Sequence, residues 1–404
     1  MTTYRTAIRR GLAVRRTPYR PPWRGRKAKH GSIVAPLAAT VAATIAATAL
    51  VRAGTALARA ERDRRSRAQR ERLRQFALLP GERPAEGLRR IALGQLDLAL
   101  EQLEGEINRE RAARAVHETR KALKRLRALV RLLEDELPAG EFGAENAALR
   151  EMGRRLAGAR EGEVMVGTLE QLLERHPRKL GRRRSLARLR ERLVAERDRA
   201  ASAALLGEAA ARREVIGELR AMRSRVLQWR LPEREGMELA AAGLARIYRQ
   251  GRRRHRRAAR GGGDRTRAMH EWRKRVKDLR YAAEMLDRRD PDGEPVRHGR
   301  RRRSRGAQRK RREAARIRRL ARRADALGEI LGEDHDLAVF AERIRGDPGV
   351  QLGRGTRRAL LRLISRRRRE LRRRALRRGE RIYRRGPKAF VARVRAAYAR
   401  GARG

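Results

Sequence analysis

The chain has 404 residues, and its 108 Lys and Arg against 48 Asp and Glu give a formal net charge of +60. This excess favours a polyanionic partner, and charge alone leaves nucleic acid, polyphosphate and an anionic membrane open. Cysteine is absent, which excludes disulfides and thiolate metal sites. Helix-forming Leu, Ala, Arg and Glu dominate and aromatic residues make up only 3%, so the composition predicts an all-α protein.

Residues 1–77 are predicted to be a basic leader in front of the folded domain. Within it, residues 33–51 carry no charge and consist mostly of Ala and Thr. This stretch is long enough to cross a bilayer, but its weak hydropathy disfavours insertion. Three interpretations stay open: a membrane anchor, a soluble helix or disordered leader, and a targeting signal cleaved near Ala56-Leu57-Ala58. A charged helix is predicted next, over Ala58–Gln75.

A helical domain is predicted over residues 78–400, because apolar residues recur there at a helical period and Pro or Gly marks the breaks. In the first half, helices are expected over 86–107, from 116 to the break at Pro138, and over 147–158, 163–173, 185–206 and 212–228. In the second half, they are expected over 237–253, 269–286, 314–331, 337–345, 356–374 and through Ala397. The basic segment 287–312 contains Pro291, Gly293 and Pro295 and is predicted to be an inserted, solvated loop.

One cationic motif occurs twice in the chain. The sequence V-H-E-T-R-K-A-L-K-R-L-R at Val116–Arg127 matches M-H-E-W-R-K-R-V-K-D-L-R at Met269–Arg280. At about 100° per residue, the shared His, Arg and Lys residues of each copy fall within an arc of roughly 120° on one side of a helix. We call each set a cationic stripe. The first stripe is His117, Arg120, Lys121, Lys124 and Arg127, and the second is His270, Arg273, Lys274, Lys277 and Arg280.

The duplication extends beyond the stripes, because Leu156–Val164 and Leu331–Val339 also match. We therefore predict two tandem helical bundles, over about 86–230 and 237–400, related by an internal pseudo-two-fold axis around a basic central groove. The opposite side of each stripe helix is apolar and is expected to face the core.

The stripe histidines are expected to stay mainly neutral and to donate hydrogen bonds, because neighbouring cations disfavour their protonation. The seven histidines of the chain include no H-x-x-x-H or H-E-x-x-H spacing. No metal site is therefore predicted, and the motifs indicate no cofactor.

The repeated H-x-x-R-K-x-x-K-x-x-R motif resembles the signature of the CHAD family, the conserved histidine α-helical domain. So do R-Y-A-A-E-M-L at Arg280–Leu286 and L-G-E-D-H-D-L-A-V at Leu331–Val339. The resemblance implies a duplicated helical bundle whose basic groove binds inorganic polyphosphate through the ten stripe residues. It also implies a non-catalytic, cytoplasmic protein associated with polyphosphate granules. In the first copy, Arg160-Glu161 stands where the family commonly has Arg-Asp.

Two other functions stay open. A non-specific nucleic-acid-binding protein would use the basic tails at Met1–His30 and Arg297–Arg312, although aromatic residues for base stacking are scarce. A metal-dependent phosphoanhydride hydrolase would need carboxylates to hold a divalent metal. The recurring acids that qualify are Glu118, Glu271, Glu161 and Asp336. The sequence contains no Walker A loop and indicates no oligomeric state.

Overall fold

The computed structural model describes residues 71 and 74–402, with gaps at 106–108, 157, 182, 203–208, 236, 262 and 289–304. Most of the basic leader, including segment 33–51, lies outside the described residues. Every regular element within the described residues is a helix, which confirms the all-α prediction. In these same ranges, no helix combines the length and the apolar character that crossing a membrane requires.

The described residues before 236 form helices α1 (Pro84–Glu104), α2 (Arg109–Leu132), α3 (Glu141–Arg155), α4 (Gly158–Arg175), α5 (Pro177–Leu180), α6 (Arg184–Ser202) and α7 (Ala209–Leu227). Those after 236 form α8 (Glu238–Arg260), α9 (Arg265–Leu286), α10 (Arg305–Gly346), α11 (Arg354–Tyr383) and α12 (Pro387–Ala402). The first stripe lies on α2 and the second on α9.

Local signals fix where the second stripe helix begins. Helix α8 ends at Gly261, whose φ of 74° is in the left-handed region that favours glycine. Three residues later, the Asp264 carboxylate accepts the backbone N–H of Arg267 at 3.0 Å and caps α9. The chain therefore reverses within a few residues, and α8 and α9 pack against each other.

The two halves repeat the same order of helix packing. In the first half, α1 packs on α2, α2 on α3, α4 on α6, and α7 on α1 and α3. In the second half, α8 packs on α9, α9 on α10, α10 on α11, and α12 on α8 and α10. The single helix α10 thus corresponds to α3 and α4 together. The two-fold axis and the bounds 86–230 and 237–400 remain predictions.

The most extensive helix contacts between the halves are α2 with α9, α2 with α8, and α4 with α10. Ion pairs such as Arg343–Glu196 also join α10 to α6. The close approach of α8 to α2 depends on Gly243, where a Cβ would overlap the carbonyl oxygen of Leu132. The stripe helices therefore sit at the junction of the halves and not at its edge.

The predicted break at 332–336 is wrong, because α10 is continuous from Arg305 to Gly346. Tertiary contacts hold this stretch helical in spite of Gly332. The Asp334 carboxylate accepts hydrogen bonds from Arg368 and Arg372 of α11, both at 3.0 Å. These bonds satisfy an acid that is only 2% exposed and would otherwise be costly to bury.

The basic loop predicted over 287–312 is also too long. Residues 305–312 belong to helix α10, and 289–304 lie outside the described residues. The physical reason is composition, because Arg, Lys, Gln and Ala after residue 304 are strong helix formers and the last proline of the segment is Pro295.

Candidate anion-binding site

The apolar sides of the stripe helices are buried, as predicted. Leu126 and Leu129 of α2 and Trp272 and Val276 of α9 are 0% exposed. Because these side chains fix the rotation of each helix about its own axis, they also fix the direction of the stripe on its other side.

The stripe residues lie at the protein surface. His117 and Lys274 are exposed, and the other eight are half-buried. Lys121 Nζ lies 3.0 Å from Glu118 Oε2, and Lys274 Nζ lies 2.7 Å from Glu271 Oε1. Exposed pairs of this kind stabilise by only about 0.2–1 kcal/mol. An incoming phosphate can therefore replace these carboxylates at little cost.

The arginines of the first stripe bond to neutral acceptors. Arg120 Nη1 donates to the carbonyl oxygen of Gly153 at 2.5 Å, and Arg127 Nε donates to Asn146 Oδ1 at 3.3 Å. Burial, followed by the nearby Arg131 guanidinium, lowers the pKa of Arg127 to about 10. Arg127 thus stays cationic at neutral pH, in a place where water screens its charge poorly.

The arginines of the second stripe face carboxylates of α10. Arg273 Nη1 lies 3.9 Å from Asp336 Oδ1, and Arg280 pairs with Asp325. Arg280 Nε also donates to Glu284 Oε1 at 2.7 Å. The two stripes therefore share residue types and spacing, and the second also forms ion pairs with acids of α10.

Helices α2 and α9 contact each other at Arg131, just beyond the first stripe, and at Asp278, between two residues of the second. Arg131 Nη1 of α2 donates to both oxygens of the Asp278 carboxylate of α9, at 3.0 and 3.2 Å. Arg131 follows His117 by 14 residues and Asp278 follows His270 by 8. At about 100° per residue, Arg131 lies within the arc of the first stripe, and Asp278 lies about 40° outside the arc of the second. The crossing thus joins the two stripe helices, while the stripe arginines contact α3 and α10 of their own halves.

Further charges surround this crossing. Arg275 Nη1 lies 3.1 Å from Asp278 Oδ2. Burial lowers the pKa of Arg125 of α2, and the Glu284 carboxylate of α9 opposes that shift. Arg131 and Arg275 thus share the single carboxylate of Asp278 at this crossing.

With this geometry in place, the comparisons with known proteins give one family. Residues 90–345 match the CHAD domain. The chain belongs to the CHAD family. The resemblance predicted from the sequence is thereby confirmed. Among solved structures, the "Crystal structure of the CHAD domain from the plant Ricinus communis" is 22% identical and covers 74% of this chain and 93% of that chain, with a TM-score of 0.47. No curated protein matches the chain.

In this CHAD domain, His270 has a partner that the motif did not reveal. The His335 ring of α10 lies 4.2 Å from the His270 ring, centroid to centroid. Burial, and then Lys274, lower the pKa of His270, which agrees in direction with the predicted neutral imidazole. Burial, His270 and Arg273 lower the pKa of His335 to about 4. His335 is the histidine of the repeated segment L-G-E-D-H-D, but sequence alone did not indicate that this segment contacts the second stripe.

The histidine pair predicts a pH dependence of stability. Both folded-state pKa values lie below the unfolded value of about 6.5, so the unfolded chain binds protons first. We expect stability that is present above pH ~6.5 to be lost as the pH falls toward 4. In urea unfolding at several pH values, the free energy of unfolding should fall less at acid pH for His335→Gln than for the wild-type protein. Equal losses would contradict the assignment.

The carboxylates of α10 that lie near the stripes form hydrogen bonds and ion pairs with arginines. Glu333 accepts hydrogen bonds from Arg367 of α11 at 2.8 and 3.0 Å and pairs with Arg175 of α4. Within the described residues, no three His, Asp or Glu come together as a metal site would require. The side chain of Glu161, one of the acids considered for a hydrolase, is not among those described.

Proposed function

We propose that this CHAD protein binds inorganic polyphosphate without breaking it, through the ten stripe residues. The family is associated with polyphosphate binding. The observation that supports the proposal is that both stripes lie at the protein surface, on helices whose opposite sides are buried. Rows of cations of this kind suit a linear anion that presents oxygens along its whole length.

Arginine and lysine have different roles in this proposal. Arg120 and Arg127 donate hydrogen bonds to Gly153 and Asn146, so their guanidinium groups are held in place. Lys121 and Lys274 are held by weak surface pairs and can follow a flexible chain. Fixed and mobile donors together allow binding without a defined ligand conformation.

Polyphosphate is favoured over nucleic acid because no aromatic ring among the described residues is fully exposed for stacking. Proteins that bind single strands without sequence preference stack bases on accessible aromatic rings. In the part of the chain that the structure describes, every Phe, Tyr and Trp is buried or half-buried. Nucleic-acid binding by the tail Met1–His30 lies outside the described residues and stays a prediction.

The cellular location belongs to the same proposal. A cytoplasmic protein that binds the polymer through many weak contacts accumulates where the polymer is concentrated, which for polyphosphate is the granule. Membrane association through 33–51 stays a separate prediction.

Competition binding tests the proposed function. Labelled long-chain polyphosphate is titrated with the full-length protein at an ionic strength of about 0.15 M, and polyphosphates of several lengths or duplex DNA of matched charge compete. We expect polyphosphate to compete better than DNA and its affinity to rise with chain length. Equal competition by DNA would refute the preference, and phosphate release with magnesium would refute binding without catalysis.

A further inference from the structure

A second cationic feature lies away from the stripes. Helices α10 and α11 run side by side and enclose an open cleft of about 660 Å³. Six arginines line it: Arg319, Arg322, Arg323, Arg378, Arg381 and Arg384. Five of them, all except Arg319, are exposed. Of the described residues that line the cleft, none is acidic.

The cleft differs from the rest of the contact between the same two helices. Toward the other end of the contact, α10 presents acids to the arginines of α11, as in the pairs Glu333–Arg367 and Asp334–Arg372. At the cleft, arginines of α10 lie opposite arginines of α11. Like charges across a helix contact repel each other, and an anion between them would convert that repulsion into attraction.

The helix dipole accounts for only part of this arrangement. Arg381 and Arg384 lie at the C-terminal end of α11, where cations are favoured. Arg322 and Arg323 lie within α10, away from either end, so no helix terminus explains them. The dipole therefore does not account for their position opposite Arg381 and Arg384.

The cleft is close to one end of the second stripe. Arg280, the last residue of that stripe, pairs with Asp325 of α10. Arg322 precedes Asp325 by three residues, which is about one helical turn or 4.5 Å of rise. A linear anion that leaves the second stripe at Arg280 therefore meets the cleft next as it passes around α10.

We propose that this arginine cleft is a second binding site for a phosphate chain and that one long polyphosphate occupies the stripes and the cleft together. The inference rests on the proposed function and extends it. Guanidinium groups bind phosphate oxygens through paired hydrogen bonds. The remaining lining residues, Ala326 and Ile382, offer no ring on which a base can stack, so the cleft suits a phosphate chain without bases.

The test compares two variants that each lose two positive charges. The cleft variant is Arg322→Ala/Arg381→Ala, and the control is Arg188→Ala/Arg213→Ala, on α6 and α7, which removes two other exposed arginines. For long-chain polyphosphate, we expect the cleft variant to bind about tenfold more weakly and the control about twofold. The slope of log affinity against log salt should become shallower by roughly 1.4 in the cleft variant, since each phosphate neutralised on a single strand contributes about 0.7.

A third variant, Lys121→Ala/Lys274→Ala, separates this inference from the proposed function. If the cleft variant binds long polyphosphate as the control does, the inference is wrong, whatever the stripe variant shows. If the stripe variant binds like the wild type, the proposed function fails, and the cleft is judged by its own variant. An equal loss of duplex DNA binding in the cleft variant would also overturn the inference, because the cleft would then be a general cationic patch. Circular dichroism checks that each variant folds.

Discussion

Replacing the four stripe lysines with alanine should weaken polyphosphate binding about 100-fold, if each lost contact costs about 0.7 kcal/mol. The lysines are Lys121, Lys124, Lys274 and Lys277. They are better probes than the stripe arginines, because Arg120 and Arg280 also bond to neighbouring elements. The salt dependence should become shallower by about 3, as expected for four lost phosphate contacts. Titration at several salt concentrations measures both quantities.

Two controls show whether position matters or only charge. The first removes four exposed arginines elsewhere, Arg188, Arg199, Arg213 and Arg230, and should weaken binding by no more than about fivefold, since distant exposed charges are screened. The second, Glu118→Gln/Glu271→Gln, removes the acids that pair with Lys121 and Lys274 and should strengthen binding slightly. If the first control loses as much affinity as the lysine variant, the stripes are not the site.

The substitution Asp278→Asn should lower the free energy of unfolding by about 3–5 kcal/mol, because removing one partner leaves buried charge uncompensated. Asp278 is only 6% exposed and accepts hydrogen bonds from Arg131. It also lies 3.1 Å from Arg275. Without the carboxylate, guanidinium groups from both halves repel each other at the crossing. Equilibrium unfolding in urea measures the loss.

A matched acid provides the control for this prediction. Asp135 also pairs with an arginine, Arg246, but its side chain is 44% exposed. Asp135→Asn should therefore cost no more than about 1 kcal/mol. Replacing both buried partners, as in Arg131→Met/Asp278→Leu, should recover part of what Asp278→Asn loses. Similar losses for Asp278→Asn and Asp135→Asn would show that the crossing does not hold the halves together.

The local parts of the fold and site were predictable from the sequence. Helical periodicity gave the buried side of both stripe helices, including Leu126 and Trp272, because side-chain direction repeats with the helix itself. The same arithmetic gave the stripes on the opposite side. The same periodicity placed cations beside His270 and so predicted that its pKa would be lowered. The direction is correct, although burial is the larger cause of the shift.

Long-range pairings could not be predicted in this way. Asp278 meets Arg131 across 147 residues of sequence, and both had looked like ordinary members of charged helices. His335 lay in a segment recognised as repeated, but its contact with His270 depends on how α10 packs against α9. The continuity of α10 through Gly332 likewise depends on the partners of Asp334 in α11. In each case the deciding interaction joins elements that periodicity treats separately.

The charges at the α2–α9 crossing are distributed unequally between the two halves. Arg125 and Asp278 each follow their stripe histidine by 8 residues, and Arg131 and Glu284 each follow theirs by 14. At both positions the first half supplies a cation and the second half supplies an acid. Two copies of the first half would bring arginine against arginine, and two copies of the second would bring acid against acid. The duplicated halves have thus become complementary and no longer interchangeable, which favours pairing within one chain over exchange of like halves between chains.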